Sequence, residues 1–261
     1  MATLLFAFQI YCDFAGYSTI AIGAAKIMGI ELMENFRAPY LSLSVAEFWR
    51  NWHISLSSWF RDYLYLPLGG SRKGRWRKHF NKLLVFLVSG LWHGANLSFV
   101  VWGGLNGLFQ IIEELIQPLR DRLASTLHID RSSLGSRLFR LLVTFILVDF
   151  TWIFFRAQSI SQALDIVRSI ATAANPWVLF DGSLHALCID GANFRLMLMS
   201  IALLLAADVC KRRGIRIYSH VIARQSAIAQ LLLFVFAVCF ILVFGAWGTD
   251  YDAAAFIYFQ F

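Results

Sequence analysis

The sequence predicts an all-α, polytopic transmembrane helical protein with broken or re-entrant helices. Three observations lead there. Of its 261 residues, 59% are hydrophobic and 15% charged, against about 45–50% apolar and about 25% charged in a soluble domain, and the mean hydropathy is +0.62. The lysines and arginines behind the formal net charge of +7 fall in short runs between apolar stretches. Cytoplasmic loops carry charge in that way, so the basicity does not imply nucleic acid. The third observation is a pair of histidines, His53 and His93, each directly after a tryptophan and each in sequence apolar enough to lie in a bilayer. A polar group left unsatisfied in hydrocarbon costs roughly several kcal/mol. Such a ring must be hydrated, paired or used, and intramembrane ionisable residues mark candidate sites.

Residues 2–30 are long enough to span with tilt, at about 20 residues per crossing. Asp13, Gly16 and Ser18 interrupt them, and Asp13 is expected to face protein or water. The stretch has no charged leading region and no cleavage site, so it reads as a membrane segment and not as a signal peptide. Pro39 closes a short polar link. In residues 41–66, Ser44 and Glu47 form a capping box for a helix start. Trp49, His53, Leu56 and Phe60 follow at helical spacing. With Arg50, Arg61 and Asp62 present, this segment reads as one interfacial, partly buried amphipathic helix, ended by Pro67 and Gly69-Gly70.

Residues 71–82 carry Arg72, Lys73, Arg75, Arg77, Lys78 and Lys82 and read as a positive-inside loop. A site for anionic head groups or donor phosphates is the functional alternative. His79 is expected to be a solvated loop residue. Residues 83–112 are thirty apolar positions broken at Gly90, Trp92-His93-Gly94 and Gly103-Gly104. The next loop, 118–140, is basic again, so an even number of crossings is expected: a hairpin with His93 near its break. One long tilted helix is the alternative. The Gly90/Gly94 and Gly103/Gly107 pairs permit close helix contact. Residues 138–157 form a span containing Asp149, and 158–193 a polar extracytoplasmic loop. Residues 194–209 form a short span ending at the basic Lys211-Arg-Arg213, and 227–247 the clearest span. The tail 256–261 reads as interfacial. With no internal repeat or low-complexity tract, 1–261 reads as a single membrane domain.

Nucleophile-elbow, zincin and phosphate-loop patterns are absent. No carboxylate or thiolate stands at ligand spacing beside the two histidines, so no metal is expected. Cys12, Cys188, Cys210 and Cys239 are scattered and read as packing residues. His93 has two readings. It is a polar residue hydrogen-bonded inside a bundle, or a general base, since an imidazole can take a proton from an alcohol near neutral pH. His53 divides in the same way between packing and orienting or catalytic work. Asp13 and Asp149 read as structural, paired with an arginine or backbone groups. The tryptophans beside the histidines, Trp49, Trp52 and Trp92, read as interfacial anchors or cavity walls.

Five linked motifs carry a resemblance: residues 8–18 (FQIYCDFAGYS), 47–57 (EFWRNWHISLS), 61–70 (RDYLYLPLGG), 90–96 (GLWHGAN) and 258–261 (YFQF). Together they are similar to the membrane-bound O-acyltransferase family, nearest to its bacterial alginate O-acetyltransferase subfamily, with D-alanyl-teichoic-acid exporters as cousins. The resemblance implies helices around a central tunnel, with His93 as the catalytic histidine and His53 lining the same tunnel. Trp49, Trp52, Trp92, Asn96 and Asn106 are the expected substrate-binding wall. Two departures stand out. Full-length members carry further spans ahead of this segment, so the chain is expected to be the C-terminal half of the family core. Where the family often has a histidine in its Trp-Gly-x-x-His-Gly step, this sequence has Asn106, which hydrogen-bonds but does not titrate.

The expected function is transfer of an acyl group, acetyl first, to hydroxyls of a cell-envelope polysaccharide such as alginate. The expected donor is acyl-CoA or a similar thioester, with no bound cofactor. The expected location is the bacterial inner membrane, among lipid and with envelope acetylation proteins as partners. The rival is a truncated or split, non-catalytic component of an acyl-transfer or export system. A transporter is weakened by the lack of an inverted repeat.

Overall fold

The computed structural model of the chain describes residues 1–172, 177, 191–215 and 221–245. Among them are nine α-helices and no strand. They are α1 (Ala2–Ile27), α2 (Val45–Asn51), α3 (Ile54–Phe60), α4 (Arg75–His93), α5 (Leu97–Thr126), α6 (Leu134–Arg156), α7 (Ile160–Thr172), α8 (Gly191–Arg212) and α9 (Ala227–Phe244). By length and apolarity α1, α5, α6, α8 and α9 can each cross a membrane, which agrees with a polytopic helical protein. Two compact units are formed, Met1–Met199 and Ser200–Phe261. In the second, α9 has no buried residue and is apolar all round apart from Gln230.

In the first unit, α1 buries Phe6, Ala7, Ile10, Tyr11, Phe14 and Ser18, one stripe at helical spacing. The Tyr40 hydroxyl, from the turn Pro39–Leu41, donates to the Ala7 carbonyl at 2.6 Å. This bond pins the link after α1 to the α1 backbone. The expected cap of α2 forms: Ser44 Oγ accepts from the Glu47 N–H at 3.0 Å, and the Glu47 carboxylate accepts from the Leu43 N–H. Glu113 of α5 reaches the same helix start and accepts from the Val45 N–H at 3.0 Å.

The hairpin expected in 83–112 is present. Helices α4 and α5 are separated by three residues, Gly94 to Asn96, directly after His93. Glycines set how closely the two helices approach. A Cβ at Gly90 would overlap the Phe99 carbonyl, and one at Gly103 the Phe86 carbonyl.

Four boundaries differ from the sequence expectation. Residues 75–82 are not a loop but the first turns of α4. Their charge is accommodated because Lys78 and Lys82 both pair with Glu114 on α5, the latter at 3.1 Å. His79 lies inside that helix at 4% exposure, not in solvent. Residues 41–66 do not form one helix: α2 stops at Asn51 and α3 starts at Ile54, with His53 between them at φ 45°. The basic loop 118–140 shrinks to residues 127–133, because α5 runs on through Pro118 to Thr126 and α6 starts at Leu134. Residues 160–172 of the supposed loop 158–193 form α7. Cys188, Asp181, Asp190 and the tail 256–261 lie outside the described residues.

Candidate active site

His93 is the last residue of α4. The next residue, Gly94, takes φ 153°, which ends the helix. Asn96 then starts α5, its side-chain oxygen accepting from the Ser98 N–H at 3.0 Å, while its amide donates to the Gln158 carbonyl at 2.6 Å. Ser98 Oγ donates to the Ala157 carbonyl at 3.2 Å. The break is therefore tied to the C-terminal end of α6, and that end brings Phe155 onto the His93 ring. Four rings surround the imidazole: Trp92 at 5.0 Å, Trp102 at 5.1 Å, Phe155 at 5.2 Å and Phe99 at 6.2 Å between centroids. The first three meet it nearly perpendicular, the edge-to-face geometry aromatic rings favour. Packing alone orients this ring. Among the described residues neither of its nitrogens has a hydrogen-bond partner.

His53 is placed differently. The chain before α2 folds back on the α2–α3 break: the Arg37 N–H donates to the Asn51 carbonyl at 3.0 Å and the Ile54 N–H to the Asn35 carbonyl at 3.1 Å. The Asn35 side-chain oxygen accepts from both the Ser55 N–H and the Ser55 hydroxyl. These bonds hold His53 in the left-handed region that a non-glycine residue enters only when its surroundings demand it. Phe14 of α1 meets the His53 ring edge-on at 4.6 Å.

The two histidines share one aromatic wall. Trp52, next to His53, contacts Trp152 at 5.2 Å. Trp152 stacks on Trp102 at 5.9 Å, and Trp102 touches His93. Helices α2, α5 and α6 thus bring together residues forty positions apart in the chain.

The remaining expected wall residues take distinct places. Trp49 donates its indole N–H to the side-chain oxygen of Asn106 at 2.9 Å, and the Asn106 amide donates to the Trp102 carbonyl at 2.9 Å. Asn106, fully buried, thereby holds two of the tryptophans in register. Trp52 is buried in the wall, whereas Trp92 is 56% exposed with its ring edge-to-face with that of His93. Asn96 is the cap of α5. Asp13 is half-buried on α1. The hydrogen-bonding neighbour of Asp149 is the Thr3 side chain, where an arginine or backbone groups were expected, and one carboxylate oxygen is buried with no partner among the described residues. Sequence reasoning missed Trp102, Trp152, Phe99 and Phe155 as walls, since within apolar spans they carry no mark separating site from core. It also missed Asn35 and Ser55. No group of three or more potential metal ligands occurs among the described residues.

Comparison with known proteins bears directly on this geometry. Residues 1–154 match the profile of MBOAT, the membrane-bound O-acyltransferase family. The chain is 44% identical over 163 residues to a probable alginate O-acetylase of Pseudomonas fluorescens, covering 62% of this chain and 31% of that protein. It is 36% identical over 170 residues to a peptidoglycan O-acetyltransferase of Helicobacter pylori, covering 65% and 31%. A teichoic acid D-alanyltransferase of Bacillus subtilis is 36% identical over 105 residues, covering 38% and 27%. The chain spans about a third of the length of the curated relatives it matches. The matched region contains α1 to α5 and most of α6, and so both histidines.

Proposed function

Because the chain belongs to the membrane-bound O-acyltransferase family, we propose that it carries the histidine-bearing part of an enzyme that O-acylates a cell-envelope polysaccharide, with acetyl as the acyl group. The observation that carries this reading is the state of His93: an imidazole fixed by aromatic packing at a helix break, with no protein hydrogen bond on either nitrogen among the described residues. Buried polar side chains are mostly hydrogen-bonded. His79, inside α4, also has no partner on either nitrogen among the described residues, and His93 differs in lying at the helix break on the aromatic wall that runs towards the second histidine. A histidine kept for proton transfer needs a nitrogen free for substrate.

The chemistry fits such a ring. The acceptor hydroxyl is a weak nucleophile until a base takes its proton. In the proposed reaction His93 removes that proton as the oxygen attacks the thioester carbonyl of an acyl-CoA or similar donor. The carbon–sulfur bond breaks, and the thiolate recovers the proton from the imidazolium, leaving an ester and a free thiol. His53 orients the acceptor or relays the proton. The packed indoles of Trp49, Trp52, Trp102 and Trp152 between the two histidines keep out the water that would hydrolyse the donor. The relatives named above act on alginate, peptidoglycan and teichoic acid, and this supports a glycopolymer acceptor. We place the protein in the bacterial cytoplasmic membrane, with a cytoplasmic donor, an outward acceptor and envelope proteins that complete the modification.

The test is acyl transfer in membranes with labelled acetyl-CoA and alginate, using the chain alone and the chain joined to the unmatched remainder of the Pseudomonas fluorescens relative. Transfer lost on His93→Ala at unchanged protein level is expected. Transfer that survives His93→Ala refutes the base assignment. Absence of transfer in every form, while the intact relative works, favours a non-catalytic component.

A further inference from the structure

Hydrogen-bond donors and acceptors around His53 determine which of its nitrogens carries the proton. The Ser55 backbone N–H can only donate, and it lies 3.1 Å from the Asn35 side-chain atom assigned as Oδ1. That atom is therefore the amide oxygen, which settles the orientation of the Asn35 amide. An amide oxygen only accepts, and Ser55 Oγ stands 2.7 Å from it. The single hydroxyl proton of Ser55 is thus committed to Asn35, and Oγ turns lone pairs to any third neighbour. That neighbour is His53 Nδ1, at 3.5 Å, the outer limit of a hydrogen bond. Two lone pairs facing one another repel, which favours the tautomer with the hydrogen on Nδ1.

We propose that Asn35 and Ser55 are positioning residues that hold His53 as its Nδ1-protonated tautomer and leave Nε2 as the basic nitrogen available to substrate. Among the described residues no protein group is hydrogen-bonded to Nε2. The assignment gives Asn35 and Ser55 a role that nothing in the sequence spacing shows, since Asn35 sits eighteen positions before His53 in a polar link. Its catalytic consequence rests on the proposed acyl transfer; the tautomer itself does not. In the relay role, a proton arriving at Nε2 makes the ring an imidazolium whose Nδ1–H bond to Ser55 is charge-assisted and stronger. The Asn35–Ser55 chain then favours proton uptake at Nε2 and opposes rotation of the ring.

The ring's location does not depend on the Ser55 hydroxyl. Backbone bonds from Ile54 to Asn35 and from Arg37 to Asn51, with the Ser55 N–H on Asn35, remain in Ser55→Ala. That variant therefore alters the tautomer without dismantling the break. The measurement is nitrogen NMR on the protein labelled with 15N-histidine in lipid bilayers at pH 8, with His53→Gln to assign the signals. The wild type is expected to show His53 with a protonated Nδ1 and a bare Nε2. Ser55→Ala is expected to shift it to the Nε2-protonated form or a mixture, and Ser55→Thr to restore the wild-type pattern. A wild-type ring protonated at Nε2, or a Ser55→Ala pattern identical to wild type, overturns the proposal. Acyl transfer is read separately, with a loss on the order of tenfold expected in Ser55→Ala, as for removal of the partner that orients a functional histidine, and near-normal turnover in Ser55→Thr. If the tautomer behaves as expected while transfer is unchanged in Ser55→Ala, the positioning role in the reaction is overturned and the structural clamp stands.

Discussion

An alanine at Gly103 has no room for its methyl group. Gly103 lies where α5 crosses α4, and a Cβ there would overlap the Phe86 carbonyl oxygen, with the carbonyl carbon at 3.0 Å and the Gly90 nitrogen at 3.3 Å. All three atoms are backbone of α4, so no rotamer change relieves the overlap and the helices must part. Forcing one extra methyl into a close-packed interface costs about 1–3 kcal/mol, a fall of roughly 5- to 150-fold in the folded-to-unfolded ratio. Gly104, one residue on, supplies the control. Its Cβ would meet only Leu87 Cδ2 at 3.3 Å, the tip of a side chain that can turn aside. Alanine there gains about 0.8–1.0 kcal/mol of helix propensity over glycine. The two neighbouring substitutions therefore act with opposite sign. Function follows the same geometry, because α4 carries His93 and α5 carries Trp102, 5.1 Å away. A displacement of about 1 Å at reacting groups costs on the order of 100-fold in rate. Thermal unfolding in detergent, paired with acyl transfer, reads both effects. A Gly103→Ala protein that melts with the wild type, or a Gly104→Ala protein that loses as much stability, refutes the reasoning.

Other substitutions test the wall. Trp102 is 1% exposed, and Trp102→Ala is expected to cost about 3–5 kcal/mol, whereas Trp92→Ala, which removes a half-exposed ring set against His93, is expected to cost about 1 kcal/mol; denaturant or thermal unfolding distinguishes them. Asn106→Leu leaves the Trp49 indole N–H without its acceptor, with an expected loss of about 1–3 kcal/mol. The double variant Trp49→Phe with Asn106→Leu is expected to be less destabilised than the sum of the two single changes, since both partners are then apolar. Additive losses in that cycle would show that the Trp49–Asn106 bond couples nothing.

The spans were legible because length and apolarity are properties of consecutive residues. The break at His93 was legible for a similar reason: Gly90, Gly94 and the polar Asn96 cluster within seven positions. What escaped depends on partners distant in sequence. Charge alone marked residues 75–82 as a loop, yet Lys78 and Lys82 tolerate a helix because Glu114, 36 and 32 positions away, faces them. The spacing of Trp49, His53, Leu56 and Phe60 fits one helix, and the chain breaks it because Asn35 and Arg37 claim backbone groups on either side of His53. Asn96 carried a legible signal, an asparagine two residues before a serine whose N–H it accepts, and helix capping accounts for that bond. The aromatic wall was half legible: the tryptophans beside the histidines stood out, while Trp102 and Trp152 were hidden among other apolar residues.

The two histidines are held by different forces, and that difference supports a division of labour between them. His93 sits in a box of four rings that fixes its plane without engaging its nitrogens. Such a box leaves both protonation states free of protein hydrogen bonds, which suits a group that gains and loses a proton in each cycle. His53 has its Nδ1 beside a committed hydroxyl and its backbone in a constrained conformation, which suits a group that presents one nitrogen in one direction. Between them, Trp52, Trp152 and Trp102 form a continuous wall of indoles, rigid side chains with few torsions to lose when substrate binds. In the proposed reaction one imidazole performs the proton transfer while the other aligns the hydroxyl that gives the proton up. The wall that joins them keeps the separation between those two steps fixed.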